Sequence, residues 1–298
     1  MYTASGTSFN PSAQPHNNWL NWRLCILFFL ILLFSLTSGC SSVRLVYGHL
    51  DWWMDRKINS YLDLEGAQKE LLQQRVDDFH RWHRQTQLPR YADFFEQLAT
   101  EVEDTSQIPE RLKRIEKQVD EFWDNSVTML SDLVLPLIYD LNAQQIDQLE
   151  VNIEEEREKS LKKWDRAQRK REKEFRKQTE RWLGDLTEEQ EEMIDRQVAS
   201  STFDPKLRDA QRQLWAATFI STLRKKPAGY QKQLRALVLE PQSLWSEDYQ
   251  KMHDELRAQA TALAQQIATS ATTVQRQHLK ATLQEYAADF RALANEAE

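Results

Sequence analysis

The sequence predicts an all-α fold, an elongated multi-helix bundle. Three observations carry this. Glycine is scarce, and after residue 39 it stands only at Gly48, Gly66, Gly184 and Gly229. β-Branched residues are thin, and the chain is rich in charge, Gln and Trp, which argues for long helices and against a sheet. Apolar residues recur three or four apart over long stretches, which is the period of a helix face.

In chain order, the first feature is an apolar run from Leu24 to Leu36 with no charge, proline or glycine. A bilayer-spanning helix needs about 20 apolar residues and a signal h-region about 7–15, so the run is of the second kind. Arg23 stands just before it, on the side expected for a positive n-region. The run ends in Leu36-Thr37-Ser38-Gly39-Cys40, small residues before a cysteine, which resembles a bacterial lipoprotein signal. That resemblance implies removal of residues 1–39 and acylation of Cys40 on its thiol and its new amine, with palmitate among the chains. Several acyl chains anchor stably, because each buried methylene adds about 0.8 kcal/mol. Ser41-Ser42 follows in place of an Asp, which by the same resemblance implies the outer membrane of a Gram-negative cell, facing the periplasm.

Residues 40–298 then form one helical periplasmic domain, with residues 244–298 a separable C-terminal hairpin. Cys25 leaves with the signal, so Cys40 is the last cysteine. Beyond it no disulfide, thiolate metal site or cysteine nucleophile is available. A net charge of −7 gives no global signal for nucleic acid.

A first helix spans Val43 to Tyr61, with Leu45, Leu50, Trp53 and Ile58 apolar. Trp52 and Trp53 are expected in the core rather than at a membrane interface, because Asp51 and Asp55 flank them. A second helix, over 65–87, carries Leu72, Val76 and Phe79. Pro89 ends it and opens a third with Tyr91, Phe94, Phe95, Leu98 and Val102. Pro109 opens a fourth whose seam runs Leu112, Ile115, Val119, Phe122, Leu130, Leu133 and Leu137, with Ser126 at one seam position and Pro136 kinking the last turn.

One very long charged helix, about 142–183, is expected next, with a sparse stripe of Ile146, Leu149, Ile153, Leu161, Trp164, Phe175 and Trp182. Between Arg157 and Arg181 stand 12 Lys/Arg against 5 Asp/Glu. Such a run is either a solvated helix laced with pairs such as Glu158–Lys162 and Glu172–Arg176, or a surface for an envelope protein or anionic envelope polymer. Trp164, Phe175 and Trp182 are the residues expected to face that partner. Gly184 breaks the helix, and Thr187 starts a sixth. Asp204 caps a seventh, Pro227 and Pro241 bracket a short eighth, and two helices, about 244–270 and 273–296, close the chain as an antiparallel hairpin.

A local pattern recurs as Leu64…Gln68, Leu141…Gln145 and Leu186…Gln190. In the last two, Asn142 or Thr187 caps the helix while the Gln reaches back, a capping box. Leu186-Thr187-Glu188-Glu189-Gln190 also resembles the LTxxQ signature of small periplasmic chaperones of the Spy/CpxP type, which implies a holdase activity. His80 and His83 lie one turn apart with Asp77 and Asp78 beside them, a spacing that suits a metal. With Phe79 and Trp82 in the same segment and no third ligand spaced to join, a structural role for His83 near Pro89 is the stronger expectation. No Gly-x-Ser-x-Gly elbow and no Gly-rich phosphate loop is present.

Five elements in order resemble a family of all-helical proteobacterial lipoproteins of unknown function. They are Cys40–Tyr47; Trp82-His83-Arg84 with Leu88-Pro89-Arg90-Tyr91; Leu141–Gln145; the Trp164 region; and Phe203-Asp204-Pro205. The expectation is an envelope scaffold or binding protein without enzymatic activity, metal or cofactor. A holdase is the alternative, and an enzyme lacking recognisable motifs comes third.

Overall fold

The computed structural model describes residues 43–44, 47–168 and 170–296, with the backbone alone for 165–168. The Leu24–Cys40 stretch lies outside them. The described residues are all-α, with no strand among them. None of their helices is long and apolar enough to cross a membrane.

The helices are α1 (Leu50–Leu62), α2 (Ala67–Trp82), α3 (Leu88–Glu101), α4 (Ile108–Tyr139), α5 (Ala143–Gln168), α6 (Arg171–Leu183), α7 (Glu188–Ala199), α8 (Pro205–Lys225), α9 (Tyr230–Leu239), α10 (Glu247–Ser270) and α11 (Thr273–Asn295). They form two units of like construction. In the first, α1 packs on α2 and α5, and α2 on α4. In the second, α6 packs on α7 and α11, and α7 on α10. The first core holds Leu64, Leu72, Val76, Leu141, Leu149 and Leu223; the second holds Leu183, Ile194, Leu263 and Ile267.

α3 and α11 join the units. They run antiparallel in close contact, because Ala92, Ala99 and Ala287 are buried and present no bulk. Phe95 meets Tyr286 and Phe290 edge-on beside them, and Arg291 binds Asp93 and Glu96 outside.

Four expectations change. The helix over 142–183 is two helices, α5 ending at Gln168 and α6 beginning at Arg171, with Lys170 as the N-cap residue of α6 (φ −110°, ψ −6°). No glycine or proline marks the break. Before it, Trp164 packs on Phe203; after it, Phe175 and Trp182 pack on the second unit's core.

The second and third helices are not separated by Pro89. The backbone passes from α2 to α3 through a π turn, His83–Gln87, in which Leu88 N–H bonds the His83 carbonyl. The wider turn absorbs a proline that supplies no donor. α4 likewise continues through Pro136 to Tyr139.

The closing helices do not pair as a hairpin. The turn falls where expected, capped by Thr272, but the arms diverge: α10 lies on α7 and α4, and α11 on α3 and α6. Finally, Trp53 packs on the first core as expected, but Trp52 faces solvent.

Candidate functional site

The deepest polar arrangements are two glutamine clasps. Asn142 accepts from Gln145 N–H (2.9 Å), and Gln145 Oε1 accepts from Asn142 N–H (3.1 Å). The free Gln145 amide then crosses to the α1–α2 turn, donating to Gln68 Oε1 (2.7 Å) and the Asp63 carbonyl (3.2 Å). The second unit repeats this. Thr187/Gln190 and Thr272/Gln275 are both complete capping boxes. Gln275 donates to Gln190 Oε1 (2.7 Å) and to the Asp185 carbonyl (2.8 Å). Gln190 donates back to Gln275 Oε1 (3.0 Å) and to Ser270 Oγ (3.2 Å). Gln190 is fully buried with both amide atoms satisfied, so the recurring Gln positions are fasteners between helix turns.

His83 lies in a second cluster. Its Nδ1 is 3.0 Å from Tyr47 Oη and its Nε2 is 3.2 Å from Tyr91 Oη. Tyr91 Oη in turn lies 3.4 Å from Ser126 Oγ, which donates to the Phe122 carbonyl. The serine that interrupts the α4 seam thus ends a polar chain begun at Tyr47. Burial, with His80 beside it, lowers the His83 pKa to about 3, so the ring is neutral at ordinary pH. One ring nitrogen then donates and the other accepts, which spends both on tyrosines. Burial also raises the Tyr47 and Tyr91 hydroxyls, so both stay protonated. His80 lies tilted against the Tyr47 ring, with centroids 4.7 Å apart. The histidine pair is an internal fastener, and no group of three or more possible metal ligands occurs among the described residues.

Trp164, Phe175 and Trp182 do not form an open stripe. The Trp164 ring lies 4.6 Å from Phe203, with the Arg208 guanidinium over it at 5.8 Å. Phe175 packs against Leu183, Ile194, Leu263 and Ile267. Trp182 contacts Phe95 and Tyr286. All three serve internal packing, because α5 and α6 need their few apolar residues to hold the bundle.

Two arginines of 157–181 are drawn into ion pairs with other helices: Arg157 binds Asp209 and Glu154, and Arg176 binds Asp195, Glu191 and Glu172. The lysines of this run point out. Lys159 and Lys162 make surface pairs with Glu155 and Glu158. Lys163, Lys170, Lys173 and Lys177 are exposed and make no ion pair among the described residues. Lys170, Lys173 and Lys177 are three and four apart and share a face. The sequence shows the excess but not this division, which depends on acceptors supplied by α7 and α8. Elsewhere, Trp245, Glu247, Gln250, Lys251, Asp254 and Glu255 line a shallow depression open to solvent.

These features define the class: an all-helical protein whose buried polar groups fasten turns together and whose solvent face carries a lysine cluster at the α5–α6 elbow. Within it, the chain belongs to a family of unknown function, DUF6279, whose profile matches residues 60–250. The match contains the motifs from Trp82 to Pro205 on which the resemblance to a family of unknown function rests. No curated protein and no solved structure matches the chain.

Proposed function

We propose that this chain is a membrane-anchored envelope lipoprotein that works as a scaffold or binding protein. It is tethered through acylated Cys40 to the outer membrane and engages an anionic partner through the lysines of the α5–α6 elbow. The observation that carries the binding reading is the array Lys163, Lys170, Lys173 and Lys177, exposed beside arginines already consumed by internal carboxylates. Exposed ammonium groups grouped in this way attract anionic envelope polymers or an acidic protein surface, and the attraction weakens with salt. Crosslinking in cells from these lysine positions tests it. A discrete adduct is expected, and its absence counts against the reading.

A holdase-like chaperone is the second reading. The observation favouring it is that Leu186–Gln190, the segment resembling the LTxxQ signature, opens α7 as a complete capping box clasped to a second one. Suppression of aggregation of unrelated unfolded proteins at or below equimolar ratio is the expected result. Absence of suppression removes this reading.

A further inference from the structure

Val43, Arg44 and Tyr47, close after Cys40 in the sequence, are folded into the body. Val43 and Tyr47 are buried with Leu88, Ala92, Phe290 and Leu293. Arg44 pairs with the buried carboxylate of Asp289 at 3.2 Å. Val43 is the third residue after Cys40. Three residues reach at most about 10 Å even when extended. Such a tether gives the body no clearance from a bilayer and presents to it whatever surrounds Val43. The next helix outward is α1.

α1 is not buried all round. Met54 and Trp53 face the first core, while Trp52 is 55% exposed, the highest value of any large aromatic on that helix. The Arg56 guanidinium lies over the Trp52 ring, 5.6 Å from its centroid. Trp52, Arg56 and Ser60 are all exposed, and steps of four place them on one stripe; His49, the N-cap residue, is exposed too. Asp51 and Asp55 are only partly exposed, and the helical turn sets them on the opposite flank of Trp52 from Arg56. An indole is favoured at the headgroup level, and a neighbouring guanidinium there meets lipid phosphates.

We propose that the Trp52–Arg56 stripe of α1 lies on the phospholipid headgroups of the anchoring membrane, with Trp52 at the interface and α1 along the surface. The proposal rests on the reading of Cys40 as the lipid-bearing residue. It makes the anchor and the first helix one attachment, which fixes the orientation of the body.

The test uses the full chain purified from membranes and reconstituted in vesicles of phosphatidylethanolamine and phosphatidylglycerol brominated near the headgroup. Bromine quenches indole fluorescence at contact. Trp52→Phe is expected to lose most of the quenching seen in the parent chain, and Trp245→Phe to lose none. Circular dichroism of Trp52→Phe checks that it folds, as an exposed position should. Mass spectrometry of the N-terminal peptide from the same preparation reads acylation separately. Equal quenching in the parent chain and Trp52→Phe, with Cys40 acylated, overturns the proposed orientation and leaves the anchor standing. An unacylated Cys40 overturns the anchor and the orientation together.

Discussion

Gln190 and Gln275 hold each other by two hydrogen bonds, 3.0 Å in one direction and 2.7 Å in the other, at a site where both are buried. Each also accepts the backbone N–H of its own N-cap residue. One residue type therefore starts a helix and joins it to another. In the first unit Gln145 does both, accepting the Asn142 N–H and donating to Gln68, which serves only as acceptor.

Replacing one member of a clasp strands the other. Gln190→Leu leaves the Gln275 amide short of an acceptor in a dry site, so a loss of about 1–3 kcal/mol is expected in denaturant unfolding. Gln190→Leu with Gln275→Leu should cost less than the two single changes added, because neither leaves the other unpaired. Additive losses would show that the two side chains are not coupled.

The second prediction concerns pH. His83 has a folded pKa of about 3, against an ordinary value of 6.5. Between those values the unfolded chain binds a proton that the folded chain excludes. This contribution to stability is complete above 6.5 and is lost as pH falls toward 3, with a slope of up to about 1.4 kcal/mol per pH unit. His83→Asn is expected to be less stable at pH 7 and to show a shallower decline between pH 6 and 4. A parallel decline would assign the acid sensitivity to other groups.

Third, Gly66 (φ +49°, ψ −125°) and Gly184 (φ +76°, ψ −155°) have backbone conformations that side chains avoid. Gly66→Ala meets no atom within 4 Å, whereas an added Cβ at Gly184 comes within 3.5 Å of the His278 ring. Both changes should destabilise by at least about 1 kcal/mol through the backbone alone. Thermal unfolding that leaves either variant unchanged would contradict the turn geometry.

Fourth, aromatic and lysine substitutions on α6 should separate cleanly. Trp182→Ser removes a ring packed on Phe95 and Tyr286, and should cost a substantial part of the about 3–5 kcal/mol typical of a core aromatic. Lys173→Glu, on the solvent face, should stay within about 0.5 kcal/mol of the parent chain. Equal effects on thermal unfolding would refute the division between inward aromatics and outward lysines.

Much of this architecture is legible in the sequence, and the parts that are not share a cause. Asp204, Thr187 and Thr272 cap their helices where short-range chemistry requires, because a cap is satisfied within four residues. The change from α5 to α6 around Lys170 has no Gly or Pro to signal it, and the partners on either side, Phe203 for Trp164 and the second core for Phe175, come from far along the chain. The passage through Pro89 is concealed likewise, because a π turn needs no special residue. Ser126 stands out in the α4 seam as a misfit, and its reason appears only when Tyr91 arrives beside it. The clasps show their Gln positions but not their pairing, which requires turns far apart in the chain to meet. The aromatic stripe of α5 and α6 misleads because periodicity shows which residues share a face, not whether that face is covered.

The lysine elbow is tested most directly by a photoreactive crosslinker at position 173 in living cells, with and without Lys163→Glu, Lys170→Glu and Lys177→Glu. A single discrete adduct is expected with the parent lysines, and its loss is expected on charge reversal while thermal stability is unchanged. An adduct that survives the charge reversal, or no adduct from the parent chain, would contradict binding through this face.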